Sequence, residues 1–310
     1  ASETTKNTYA IESNGRMYYP VIGLEIHAEL KTQSKMFCSC RNNPDEEKPN
    51  FNVCAICMGH PGTLPVLNKQ AIKHMVRIGT AIGGTIADFT EWDRKNYFYP
   101  DIPKAYQISQ FAHPLITGGK LRGIELTRIH LEEDTASSSH DKGDYSLVNF
   151  NRSGVPLMEL VTEPVIRDAK TAGDFGRELQ LLLRYLGAGE ANMEKGEMRV
   201  EVNISLSTDP KSHEYIEEAL RENKPVAKEA FKTFGVKTEV KNINSFRSAE
   251  RSIEFEIERH IAAIEAVLAE GISPTDAAAW KAALATKKLV QETRGFDEAT
   301  GKTVSQRAKE

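Results

Sequence analysis

The sequence predicts an α+β fold in one large domain, and three observations carry that prediction. Two well-separated segments alternate apolar and polar residues with a strand's period. Several amphipathic helical stripes lie between and after them, and strands and helices follow one another without the regular βα succession of a parallel sheet. At 310 residues, 40% hydrophobic and 27% charged, the chain has ample material for a core. Its 40 Lys and Arg against 44 Asp and Glu leave a net charge of −4, which argues against nucleic-acid binding over the whole surface but permits a local basic groove. No apolar run approaches the roughly 18 residues of a membrane span. The polar start, Ala1 to Thr8, lacks a signal-peptide core, so residues 1–18 are expected to be a flexible tail and the location cytoplasmic.

The first strand is Val21–Leu30. Alternation sends Ile22, Leu24, Ile26, Ala28 and Leu30 to one face and Glu25, His27 and Glu29 to the other. Pro61–Val66 then leads into a helix with Ala71, Ile72, Met75, Val76, Ile78, Gly79 and Ala81 on its stripe, ended by Gly83-Gly84. Residues 92–111 read as ordered loop with short strands. Leu121 to Phe150 reads as short strands with turns at Gly118-Gly119 and Lys142-Gly143. After Pro164, Asp168 caps a helix whose stripe is Phe175, Leu179, Leu182, Leu183 and Leu186, with Gly187 as its stop. A second alternating strand, Met198–Leu206, buries Met198, Val200, Val202, Ile204 and Leu206 and presents Arg199, Glu201, Asn203 and Ser205. A helix over Glu214–Glu222 and a strand over Lys237–Asn242 precede the longest helix. That helix is capped by Asn244 or Ser245, striped by Phe246, Ala249, Ile253, Ile257, Ile261, Ile264 and Leu268, and stops near Gly271. Lys288–Asp297 looks like a strand entering a loop, and Ser305–Glu310 shows no closing element, as if the chain were cut there.

Two features carry chemistry. The polar faces of the two alternating strands, with the acids of His130-Leu131-Glu132-Glu133-Asp134, would repel themselves without a cation above them. A divalent cation on such a platform points to phosphate chemistry. The competing reading is a solvated salt-bridge face on an edge strand. His130 reads equally well as a packed strand residue. The four cysteines lie within twenty residues, as Cys38-Ser39-Cys40 and Cys54-Ala55-Ile56-Cys57 around a 13-residue polar loop. Two close pairs flanking a loop suit a tetrathiolate structural zinc over residues 38–57; disulfides or idle thiols are the alternatives.

Several strings occur together: Gly23-Leu24-Glu25-Ile26-His27-Ala28-Glu29-Leu30, Asp93-Arg94-Lys95-Asn96-Tyr97-Phe98-Tyr99-Pro100-Asp101, Pro103-Lys104-Ala105-Tyr106-Gln107-Ile108-Ser109-Gln110, His130–Asp134, Asn151–Pro164 and Lys241–Phe246. In that order they resemble the B-type component of the aspartyl/glutamyl-tRNA amidotransferases (the GatB/GatE family), from about Tyr19 to Glu310. The resemblance implies a catalytic cradle domain over 19–310, similar to glutamine synthetase and the guanidino kinases, with the zinc loop as a small insertion. It also implies a two-stage reaction. ATP phosphorylates the side-chain carboxylate of glutamate on tRNA(Gln) or aspartate on tRNA(Asn), and ammonia then displaces the phosphate.

Carried over from the family, Glu25, His27, Glu132 and Glu133 are the expected magnesium ligands, with Glu201 nearby; the imidazole leaves manganese open. Lys95 and Lys104 are expected phosphate contacts, Tyr97, Tyr106, Gln107 and Ser109 pocket walls, and Arg199 and Asn203 substrate-positioning groups. The family more often carries Asp where this chain has Glu201, which weakens direct ligation there. Its members continue past residue 310 into a helical domain and a small tRNA-gripping tail, so a truncated cradle is expected. No amidase signature and no cysteine outside the cluster is present to make ammonia. A separate glutaminase (the A-type component) and a small C-type component are therefore the expected partners, with misacylated tRNA and no membrane. The alternatives are a zinc-stabilised tRNA-binding scaffold without catalysis and the archaeal E-type relative, whose large inserted domain is not seen.

Overall fold

The structure, a computed structural model, describes residues 7–308, with the backbone alone at 307 and 308. The tail expected over 1–18 is already folded from Ile11; residues 1–6 lie outside the described part. Strand β1 (Ile11–Ser13) turns back onto β2 (Arg16–Glu29) through Asn14-Gly15, both at positive φ. Such a two-residue turn matches the twist of the strands it joins. Along the chain follow α1 (Lys69–Ala81), β3 (Thr85–Ile86), β4 (Asp93–Asn96), β5 (Tyr106–Ser109), β6 (Ile116–Thr117), β7 (Lys120–Leu121), β8 (Ile124–Glu133), β9 (Ser137–Ser139), β10 (Leu147–Asn149), β11 (Pro156–Thr162) and α2 (Ala169–Tyr185). The remainder is β12 (Met198–Ser207), α3 (Lys211–Glu222), β13 (Thr238–Ile243), α4 (Phe246–Ala269), α5 (Ala277–Thr286), β14 (Glu292–Asp297) and β15 (Lys302–Ala308).

The fold is α+β. Among the described residues, eleven strands form one sheet in the order β15-β14-β13-β12-β2-β11-β8-β6-β3, with β1 beside β2 and β7 beside β8. Only β13 and β14 run parallel among its pairs. The apolar residues of β2 and β12 are buried against Phe175, Leu179 and Leu183 of α2 and Ala249 and Ile253 of α4, so both helices cover one face. The opposite, polar face is flanked by the separate β4–β5 hairpin. Just before that hairpin, Trp92 Nε1 donates to the Leu131 carbonyl of β8 (3.0 Å). No helix among the described residues is long and apolar enough to cross a membrane.

Several expectations are corrected. Leu121–Phe150 is not a set of short strands alone, since β8 runs for ten residues. The central strand β11, the helix α5 and the strand β15 have no counterpart among the elements expected from sequence. Because β15 pairs with β14, residues 302–308 do form a closing edge. Asp168 caps α2 by accepting the Thr171 N–H, and Ser245, not Asn244, caps α4 by accepting that of Ser248. The buried side of α4 is not wholly apolar: Glu256 and His260 are fully buried on it.

Helices α2 and α4 approach through two glycines of α2. A Cβ on Gly176 would stand 2.7 Å from the Phe246 ring, whereas one on Gly173 would meet the flexible Glu250 side chain, which would have to swing away from Arg177. Gly176→Ala is therefore expected to destabilise by about 1–3 kcal/mol through overpacking. Gly173→Ala should lie within about 1 kcal/mol of neutral, because relief of the helical glycine's entropy cost offsets the loss of a partly exposed ion pair. Urea titration of both variants checks the contrast.

Candidate active site and cysteine cluster

Register turns the alternation of β2 and β12 into rows of charge across five strands. Successive rows are two residues apart on each strand and so share one face. His130 (β8), Glu159 (β11), His27 (β2) and Arg199 (β12) stand in one row. One step along lie Glu25 and Glu201, and one further Gly23, Asn203 and Glu239 of β13. In the other direction are Glu132, Leu157 and Glu29.

Two groups result. In the first, His27 Nε2 lies 3.5 Å from Glu132 and 3.4 Å from Glu159, and His130 Nε2 lies 2.8 Å from Glu159 and 3.3 Å from Glu132. The second comprises Glu25, Glu201 and Glu239. Asn203 donates to Glu25 (3.0 Å), and the Lys241 ammonium lies 3.4 Å from Glu201 and 3.7 Å from Glu239. Within each of the sets His27/Glu132/Glu159 and Glu25/Glu201/Glu239, one ligand atom per residue falls within 4.8 Å of the others.

Burial opposes charge on His130, but its hydrogen bonds to Glu132 and Glu159 outweigh it and push the imidazole up to about 9. His27 is raised in the same way, against burial, by Glu159 and the charge of Glu132. Glu159 is held well below the carboxylate range despite burial, by the two histidines. Glu201 is pushed up by burial and its acidic neighbours, although Lys241 pulls against them. A cleft of about 300 Å³ opens over both groups. Its lining sets six carboxylates, on Glu25, Glu132, Asp134, Glu159, Glu201 and Glu239, against three cations, on Lys95, Arg199 and Lys241, and the His27 imidazole. That imbalance suits cation binding. A second cleft of about 460 Å³ adjoins it across Glu132 and Glu159, adding Arg94, Arg128 and Phe111.

Glu25, His27, Glu132 and Glu201 thus come together, but Glu133 does not. It is adjacent to Glu132 on a strand and points to the opposite face, where it meets the Lys104 ammonium (2.5 Å) and accepts the Ile108 N–H (3.1 Å). This also takes Lys104 away from the acidic cleft and into a buried ion pair, its side chain 7% exposed. Lys95 is exposed and lines both clefts. Tyr97 and Gln107 wall the first, with the tyrosine hydroxyl donating to Gln107 (3.1 Å) and Gln107 to the Glu133 carbonyl (2.6 Å). Ser109 donates to Glu132 (2.7 Å). Tyr106 lies outside the acidic cleft, its ring beneath the Arg94 guanidinium. Arg199 reaches the cleft while donating to Asp134 (3.0 Å).

Three members of the site escape sequence reasoning. His130 reads there as well for packing as for function. Glu159 is a lone acid in the apolar run Pro156–Thr162, and that isolation is its signal. Glu239 offers none beyond its place on β13.

The four cysteine sulfurs lie within 4.8 Å of one another, and no two are bonded. A tetrahedral zinc with Zn–S near 2.3 Å separates its sulfurs by roughly 3.8 Å, so the cluster fits a metal of that kind. The Cys54 N–H donates to Cys57 Sγ (3.2 Å). Cys57 is pulled down to about 4, first by the Cys38 thiol, with help from backbone donation and from Lys35.

Behind the rows, Glu29 sits against Asp134. Burial and that neighbour push Glu29 up to about 8, while Arg199 and Arg152 hold Asp134 low against its own burial. The folded chain therefore keeps a proton on Glu29 that the unfolded chain releases near 4.5. The stabilisation is complete below that value and fades as pH rises through about 8. Glu29→Gln, which mimics the protonated acid, is expected to remove this slope. Denaturant titrations at pH 5, 7 and 9 should show the parent losing stability relative to the variant.

A family model described as the GatB/GatE catalytic domain matches residues 20–310. Curated relatives include proteins named as the B component of aspartyl/glutamyl-tRNA(Asn/Gln) amidotransferase. That of Thermodesulfovibrio yellowstonii is 44% identical, that of Persephonella marina 43% and that of Synechocystis sp. 40%. Each alignment covers 94% of this chain and 55% of the relative, so the chain spans about half the length of the curated relatives it matches. On a match that runs through both acidic groups and the cysteine cluster, the chain belongs to the GatB/GatE catalytic domain family.

Proposed function

We propose that this chain is the catalytic part of an ATP-dependent tRNA amidotransferase, built as a cradle of the glutamine synthetase type and working in the cytoplasm. It phosphorylates the side-chain carboxylate of glutamate on tRNA(Gln), or of aspartate on tRNA(Asn), and converts the acyl phosphate to the amide with ammonia. The observation that carries the reading is the pair of acidic groups on one sheet face beneath a cleft rimmed by cations. The names of the relatives supply the substrate class.

The donor sets fit divalent ions. Carboxylate oxygens suit magnesium, and the imidazole in the His27, Glu132 and Glu159 set admits manganese. Bound there or at Glu25, Glu201 and Glu239, such an ion supplies positive charge to phosphoryl oxygens. Glu201 keeps a carboxylate oxygen within reach of Glu25 and Glu239.

The chain's own groups do the rest. Ser109 and His130 hold Glu132, the two histidines hold Glu159, and Asn203 holds Glu25, so the carboxylates are fixed before substrate arrives. Asp134 aims Arg199 into the cleft, where it joins Lys95 and Lys241 in attracting phosphate oxygens. Tyr97 and Gln107 wall the opening. A carboxylate is a poor acyl donor, and phosphorylation gives it a leaving group. Ammonia comes from a glutaminase partner, the A-type component, with a small C-type component completing the assembly.

The cysteine cluster holds structural zinc, which leaves no open position for chemistry. Metal analysis should find equimolar zinc. A strong chelator should then speed hydrogen exchange over residues 38–57 and in the segment around Asn151, which accepts the Phe51 and Asn52 N–H groups. Finding no metal would overturn the zinc assignment.

In the reconstituted complex, His27→Ala and Glu159→Gln are each expected to lower ATP-dependent amide formation roughly a hundredfold or more. Affinity for misacylated tRNA should stay within about twofold. Unchanged turnover would favour the alternative, a zinc-stabilised scaffold that binds tRNA without catalysis.

A further inference from the structure

We infer that Lys35 is the counter-charge of the cysteine cluster, a positioning residue that sets how tightly the four thiolates hold a metal and how slowly they react. This rests on the metal reading of Cys38, Cys40, Cys54 and Cys57.

Lys35 is 0% exposed, a rare state for a lysine unless an anion accompanies it. Among the described residues no carboxylate lies within ion-pair distance of it. Its ammonium donates to the Asn52 carbonyl (2.7 Å), to the Phe150 carbonyl (3.2 Å) and to Cys57 Sγ (3.6 Å). All three donors are used. The two carbonyls are neutral, so the sulfur is the one partner that can carry negative charge.

Four thiolates around a divalent ion leave two net negative charges inside the protein. Lys104, a second cation beside the cluster, is engaged by Glu133, whereas Lys35 donates to Cys57 itself. Its backbone position serves the same end. The Lys35 N–H donates to the Cys40 carbonyl (2.9 Å), and the next N–H, of Met36, donates to the Gly154 carbonyl (2.7 Å). One residue therefore grips the first cysteine pair through its main chain and the second through its side chain. A cation donating to a bound thiolate lowers the electron density on sulfur, and with it the sulfur's nucleophilicity.

The test compares the parent chain with Lys35→Gln, which keeps a donor but loses the charge, and with Lys35→Arg, which keeps the charge. Zinc affinity is read by competition with a chromophoric chelator. Alkylation of each cysteine in the zinc-loaded chain is followed by peptide mapping, and the cobalt-substituted spectrum is recorded. Lys35→Gln is expected to bind zinc roughly tenfold to a hundredfold more weakly. Cys57 should be alkylated several-fold faster, and the thiolate-to-cobalt band should move to lower energy. Lys35→Arg should stay close to the parent in all three.

A Lys35→Gln chain that matches the parent in affinity and alkylation overturns the inference. If both variants fail to fold, the cadmium-113-loaded parent decides. Coupling between the Lys35 ammonium protons and the metal is expected, and its absence with cadmium bound overturns the proposal. A parent that binds neither zinc nor cobalt overturns the metal reading itself, and that outcome is seen before any substitution is made.

Discussion

Antiparallel pairing of β2 with β12, unbroken from Ala28↔Met198 to Tyr19↔Ser207, fixes where the central charges of the candidate site stand. One face of that pair is sealed by α2 and α4, so its apolar side chains have a single place to go. The two-residue period then delivers Glu25, His27, Arg199, Glu201 and Asn203 to the other face without choice. A slip of one residue would send these groups into the core, and burying unpaired charge costs far more than any local rearrangement could recover. Charge crowding on one face is thus tolerated because hydrophobic burial on the opposite face holds the strands in place.

The same pairing explains what is legible in the sequence. β2 and β12 declare themselves because the stretches that meet alternate cleanly between apolar and polar. β11 does not: it lies between β2 and β8 in the middle of the sheet, is buried along most of its length, and interrupts an apolar run with Glu159 alone. Composition groups Glu133 with the acids beside it, where parity along the strand assigns it to the other face. α5 is rich in alanine and has little amphipathic contrast, which hides it, and the short β15 is defined by its partner β14 more than by its own pattern. The cysteine cluster is readable from spacing alone because its geometry is local. Lys35 is not, since its significance lies in contacts with residues 17 and 115 positions away.

The buried polar groups of α4 show a different use of charge. Glu256 accepts from Thr238 on β13 (2.8 Å), from Arg259 (2.8 and 3.0 Å) and from Thr303 on β15, and lies 3.3 Å from Arg294 on β14. Three strands are tied to one helix through a single carboxylate. Burial opposes its charge, yet His260 and Arg259 hold it well below the carboxylate range. To the register set by apolar packing, a fully satisfied ion adds directional contacts that fit one arrangement.

The order of the elements along the chain has a consequence for biosynthesis. β2 is made first among the strands that carry the site, yet one neighbour begins at Pro156 and the other at Met198. During translation the strand must wait, its backbone edges open and Ile22, Leu24 and Ile26 uncovered, until both neighbours have left the ribosome. Glu25 and Glu29 line the reverse side during that interval, and carboxylates brought face to face would discourage two nascent copies from zipping together.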